Sequence, residues 1–135
     1  MSEGIKQTVG KLSVVGAEVQ GFVTENVSCD TYGAQFIKFK GLGEGQQELI
    51  IDLVSQDFQA GKPYKFDGSN QSSASYMNSE GSVWSVRSGE LTLTVLDLEA
   101  GIVELKFDFN ASGQQPPQEK NIRGEGKFKG ITPHK

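Results

Sequence analysis

The chain is expected to fold as an all-β domain, an antiparallel β-sandwich or barrel of eight to nine strands with little or no helix. Apolar and polar residues alternate with a period of two along several segments, most strictly over residues 88–111. That period belongs to half-buried strands. Glycine is frequent, 17 of 135 residues, against an apolar share of 36%; a helical bundle would need more Ala and Leu. Clusters of Gly, Asn, Asp and Ser separate the alternating runs at intervals that suit a sandwich or a barrel.

At this length one domain is the natural expectation. Residues 1–11 are polar and form a flexible N-terminal segment, 12–131 the domain and 132–135 a C-terminal tail. A short strand leads in at 12–15, and Val19, Gly21 and Val23 alternate with Gln20, Phe22 and Thr24 in the next. NVSCDTYG, 26–33, reads as a connection. In 34–40, Ile37 and Phe39 face the core and Phe36 the outside; in ELIIDLV, Leu49, Ile51 and Leu53 share one face. A helical turn suits 55–60. KPYKF, 62–66, is a strand at a sheet edge or a strand start, because Pro63 has no N–H for a ladder bond. The polar stretch 67–81 holds a short strand at 74–77. Residues 83–86 form another, and Arg87-Ser88-Gly89-Glu90 is expected to turn.

The centre is a hairpin. Leu91, Leu93 and Val95 point one way, and Val103, Leu105, Phe107 and Phe109 share a face across the turn at 97–101. In the last strand, 122–131, Gly124, Gly126, Phe128 and Gly130 share the inner face, which implies tight packing or a bulge under a bulky residue such as Trp84 or Phe107. Its outer charges, Arg123, Glu125 and Lys127, suit Glu104, Lys106 and Asp108 on the neighbouring strand.

The net charge is −4, so nucleic acid is not an expected partner, since that affinity comes from neutralising phosphates. Residues 119–135 carry five Lys/Arg against two Glu, a local +3 that leaves −7 elsewhere and reads as a solvated edge. The single cysteine, Cys29, excludes an internal disulfide. No run reaches the ~18 apolar residues of a transmembrane helix. The first residues lack a signal peptide's apolar region, so the expectation is cytoplasmic as given, or secreted or cell-envelope if the N-terminus was trimmed.

Catalysis finds little support. His134, the only histidine, reads as a solvated tail residue, so Ser-His-Asp and Cys-His systems are not expected. Paired carboxylates, Asp52 with Asp108 or Glu104 with Asp108, leave a carboxylate-dependent hydrolase as an alternative. No cofactor is expected. GLGEGQ lacks the Lys-Ser/Thr of a phosphate loop. Asp67-Gly68-Ser69-Asn70 and Asp97/Glu99 offer oxygens for calcium, but turns favour the same residues for backbone reasons, so a metal site is left open.

The leading expectation is a non-catalytic binding or interaction module, acting through loop aromatics or an exposed sheet edge. Phe22, Tyr32, Phe36, Tyr76 and Trp84 are candidate exposed aromatics, and Tyr76, Met77 and Trp84 form the candidate ligand site. The partner would be a protein, a carbohydrate or a small ligand. A small-ligand carrier with a lipocalin-like cavity lined by Leu93, Leu105 and Phe107 is a further alternative.

The order AEVQGFV, FIKFKG with ELIIDLV, AGKPYKF, SGELTLTVLD…GIVELKFDFNA and IRGEGKFKGI resembles a family of small bacterial all-β domains of unknown function, many secreted or lipid-anchored. The correspondence runs over about 17–131. It departs at Glu104-Leu105-Lys106, where the family has Gly before its Phe-x-Phe pair, and in lacking a lipoprotein signal. The resemblance implies an all-β fold and transfers no catalytic residues.

Overall fold

The structure, a computed structural model, describes residues 8–16, 21–67, 72–113 and 119–134. The alternation at 17–20, the Pro116-Pro117 loop and residues 68–71 of the polar stretch lie outside these. Among the described residues there are eleven strands and no helix, including at 55–60. In chain order they are β1 (Val9–Val15), β2 (Phe22–Thr24), β3 (Val27–Tyr32), β4 (Phe36–Leu42), β5 (Glu48–Val54), β6 (Pro63–Lys65), β7 (Ser73–Met77), β8 (Val83–Asp97), β9 (Ile102–Gly113), β10 (Glu119–Lys129) and β11 (Thr132–His134). No helix among these residues is long and apolar enough to cross a membrane.

The central hairpin forms as its alternation requires. Leu91, Leu93, Val103, Leu105, Phe107 and Phe109 are all buried. Asp97 Oδ1 accepts the Ala100 N–H at 3.0 Å, and Gly101 takes the left-handed φ of +72° that closes the turn. Val95 departs from the expected face and is 39% exposed. A register shift between Leu93 and Val95 hands its place opposite Val103 to Leu96.

The expected turn at 87–90 is not there. β8 runs through it as one strand of 15 residues. A second irregularity, between Val86 and Ser88, and Gly89 at φ +129° bend the strand without ending it. The bend lets one edge of β8 pair with β7 at its start and with β6 further along, while β9 takes the other edge.

All the strands belong to one hydrogen-bonded sheet, in the order β11-β3-β4-β5-β7-β8-β9-β10-β1-β2, with β6 on β8. Every pairing is antiparallel except β11 with β3, so the sheet is mixed. It curls strongly into a half-barrel. Across the curl, Thr8 Oγ1 accepts from Cys29 N (3.1 Å) while donating to Gly130 O (2.6 Å) at the end of its neighbouring strand; Leu42 N donates to Asn26 O (3.0 Å), extending the β3–β4 ladder.

Three strands lie where the sequence suggests none or a loose end. β3 is hidden because its outward residues, Ser28 and Asp30, belong to turn chemistry, although Val27 and Cys29 are buried. β11 occupies the expected tail, and β1 begins inside the expected flexible segment. The terminal strand of the sequence reading, β10, is paired on both sides by β9 and β1 and is not an edge. Its register brings Arg123 opposite Asp108, Glu125 opposite Lys106 and Lys127 opposite Glu104. Gly124 lies under Phe107, and a Cβ there would sit 2.7 Å from Phe107 Cζ. Trp84 covers Gly113 instead.

Candidate functional site

The trio Tyr76, Met77 and Trp84 does not converge on one surface. β7 is a regular strand between β5 and β8, so successive side chains take opposite faces. Tyr76 points inward and is only 1% exposed, which corrects the expectation that its ring is free. The ring lies 6.5 Å from Phe22 and 5.8 Å from Trp84, centroid to centroid. Met77 points outward, half-buried, opposite Glu48 and Val83. Trp84 is half-buried, with the Lys120 ammonium 5.3 Å from its ring centroid and a buried Nε1 that has no hydrogen-bond partner. These aromatics pack together at the end of the half-barrel where Leu42 pairs with Glu48 and Tyr76 with Trp84, and beside Phe22 an open, mostly polar depression of about 640 Å³ runs past Thr24, Leu42 and Gln47.

The opposite end is lined by apolar residues. There the β3–β4 turn, the chain after β5, the β8–β9 turn and the β10–β11 connection surround a pocket of about 260 Å³, lined by Thr31, Gly33, Ala34, Ile37, Phe58, Leu98, Ile131 and Pro133. Leu98 sits in a turn and is 52% exposed. Phe58 is held by its loop: Gln59 N donates to the Tyr64 hydroxyl at 2.7 Å, and the rings of Phe58 and Tyr64 are 6.3 Å apart. Ser55 Oγ accepts from Asp57 N at 3.2 Å and tightens the same loop.

Beside the pocket, Tyr32 is 43% exposed and stacks on His134 at 4.6 Å and 12°, with Phe36 edge-on at 5.5 Å. His134 Nε2 lies 2.9 Å from Asp30 Oδ1. His134 thus belongs to a strand rather than a free tail, while its ring is exposed, as expected. The pocket residues escape an alternation search because Phe58, Leu98, Ile131 and Pro133 all lie outside regular strand runs or in a three-residue one. Their signal was an apolar residue set inside turn-like segments, DFQAG, DLEAG and GITP, where polar residues would serve a turn as well.

Among the described residues, the titratable groups singled out from the sequence do not come together in one place. Cys29 is fully buried, and burial, followed by the charge of Asp30, pushes its thiol up to about 12, so no thiolate forms near neutral pH. Burial raises the carboxyl of Asp52 above its ordinary range, against the lowering effect of Lys38. Lys38 Nζ is 3.9 Å from Asp52 Oδ1, too far for a hydrogen bond, and that buried oxygen has no partner.

Asp52 on β5 and Asp108 on β9 are three strand spacings apart in the sheet, about 14 Å at ~4.8 Å each. Glu104 and Asp108 are four residues apart on one strand, about 13 Å, and each faces a cation in the register. Both separations exceed the ~5–10 Å used by paired glycosidase acids. Asp108 also accepts the Asn121 amide at 2.7 Å. Asp97 serves its own turn through Oδ1, and most of the Asp67 loop lies outside the described residues. Among the described residues, no three His, Cys, Asp or Glu side chains form a metal-holding group. Comparison of the chain with known protein families, with curated proteins and with solved structures finds no match.

Proposed function

We propose that the protein is a non-catalytic binding module for a small, mostly apolar molecule held in the apolar end of the half-barrel. The observation that carries this reading is the end pocket. Its walls are largely hydrocarbon and its volume is about 260 Å³. That equals roughly nine liquid waters at ~30 Å³ each. It falls just below the ~300–1,000 Å³ of drug-sized sites, so the ligand is smaller than these. Thr31 supplies a hydroxyl at the wall, enough to orient a ligand with one polar atom. The single curled sheet is taken here as an incomplete barrel, with the ligand at its mouth, where barrels commonly bind.

This reading moves the small-ligand site away from the barrel interior. Leu93, Leu105 and Phe107 are buried, and Phe107 is packed between Phe109, 5.0 Å away, and Gly124. Strand addition is less favoured. Lys62, Pro63 and Lys65 are exposed along the edge strand β6, and lysine and proline discourage a new strand from pairing.

The test is titration with the neutral fluorophore N-phenylnaphthylamine, which brightens in apolar surroundings. Uptake by the native chain is expected, and Leu98→Asp, which sets a charge at the pocket wall, should weaken it at least tenfold with little change in melting temperature. No uptake, or uptake indifferent to Leu98→Asp, would count against the pocket as the ligand site.

A further inference from the structure

The pocket wall formed by Ile131 and Pro133 is built differently from the rest. Ile37 belongs to a strand paired on both sides, and Leu98 to a hairpin turn closed by its own hydrogen bonds. Pro133 belongs to β11, three residues at the end of the sheet order, paired to β3 alone. Pro133 at its centre has its nitrogen on the free edge, since the flanking His134 turns its carbonyl to β3 and accepts from Gly33 N, so the three-residue ladder rests on Thr132 and His134 alone.

Side chains hold β11 at its far end. His134 contacts Asp30 at 2.9 Å, an ion pair when the imidazole is protonated, and stacks on Tyr32. Gly33 N donates to His134 O at a long 3.3 Å. The near end is fixed more firmly. Gly130 donates to Gly101 O at 2.8 Å and accepts from Thr8 Oγ1 at 2.6 Å. Gly130 also has a φ of +97°, which turns the chain out of β10 toward β3.

We propose that β11 is a strap that gates the end pocket, swinging about Gly130 and latched by the contacts of His134 with Asp30 and Tyr32. Lifting the strap removes Pro133 from the pocket wall and leaves the strands beneath it intact, since β3 keeps its pairing with β4. The inference rests on the end pocket being the ligand site, and it makes removal of Pro133 from the wall the step that widens the mouth for ligand.

The test uses two readouts. The first is the stopped-flow rate of N-phenylnaphthylamine uptake. The second, free of ligand, is hydrogen exchange at the Gly33 amide, with the Gly61 amide, which donates to Leu93 O, as a reference away from the strap. His134→Ala and Tyr32→Ala should each speed both uptake and Gly33 exchange by roughly fivefold, the size expected for losing about one hydrogen bond. Gly61 exchange should not move. His134→Gln, whose amide can still donate to Asp30, should stay within about twofold of the native rates. Uptake and Gly33 exchange unchanged in both alanine variants would overturn the gate and leave the pocket reading standing. Absence of uptake by every variant, the native chain included, would overturn the pocket reading and the gate with it.

Discussion

Asp52 keeps one carboxylate oxygen buried on the outer face of β5 with no hydrogen-bond partner, and its cation, Lys38, stands too far off to compensate. Its carboxyl is raised, by burial first, so the folded chain holds this proton more tightly than the unfolded chain. Stability therefore falls as pH rises from the ordinary carboxylate range, about 4, through the raised value. Asp52→Asn should raise the melting temperature at pH 7, and the gain should vanish near pH 4; a loss at pH 7 would mean that the Lys38 attraction outweighs the burial. Gly124 makes the opposite kind of demand. A Cβ there meets the backbone carbonyl of Ser13 and the Phe107 ring. Gly124→Ala should cost about 1–3 kcal/mol in urea unfolding, as overpacking does. Phe107→Leu should recover part of that cost in a double-mutant cycle, and strict additivity would show that the ring is not the obstacle. The glycine-under-aromatic arrangement was legible from the inner-face pattern of 122–131, whereas the state of Asp52 depends on how its neighbours cover it, which no local pattern encodes.

The hairpin of β8 and β9 separates what alternation can and cannot tell. A strict period of two locates both strands and their turn correctly. It fails where an extra residue enters one strand, because a bulge swaps the faces beyond it without any change of composition. Leu93 and Val95 look equivalent in sequence, yet one is wholly buried and the other is 39% exposed. Leu93→Ala should cost about 2–5 kcal/mol, and Val95→Ala no more than ~0.5 kcal/mol. Equal costs in chemical denaturation would remove the bulge. Gly89 misleads for the same reason. Glycine with a positive φ serves a turn and a bend in a continuous strand alike, and the choice goes with β6 and β7, which share one edge of β8 on either side of it. β3 and β11 were missed because short strands with small polar residues resemble connections until a neighbour pairs with them.

The pairing order of the whole sheet was beyond the sequence, since it joins segments far apart in the chain: β1 to β10, and β11 to β3. That order decides which loops meet, and so it creates the two unlike ends. At one end Phe22, Tyr76 and Trp84 pack beside a mostly polar depression; at the other Ile37, Phe58, Leu98 and Ile131 line a mostly apolar pocket. Of the three residues singled out from the sequence, Tyr76 and Trp84 therefore belong to the packing of the first end and Met77 to the outer face, and the apolar pocket draws on residues that no single stretch displays together. If the ends divide the work in this way, substitutions at each should separate stability from binding. Tyr76→Leu removes a buried ring and should cost about 2–4 kcal/mol, near the range for large core truncations, with N-phenylnaphthylamine affinity held within about twofold while the chain stays folded. Phe58→Ala, at a half-buried loop position, should cost less stability, about 1–2 kcal/mol, and weaken the same affinity at least tenfold. Urea unfolding and fluorescence titration on the same two variants measure both quantities. The reverse outcome, binding lost with Tyr76→Leu and kept with Phe58→Ala, would return the ligand site to the aromatic end. Loss of binding in both, with the native fold intact, would mean that the ends communicate through the sheet, because β4, β5, β8 and β9 run from one to the other and packing loosened at one mouth would then reshape the other.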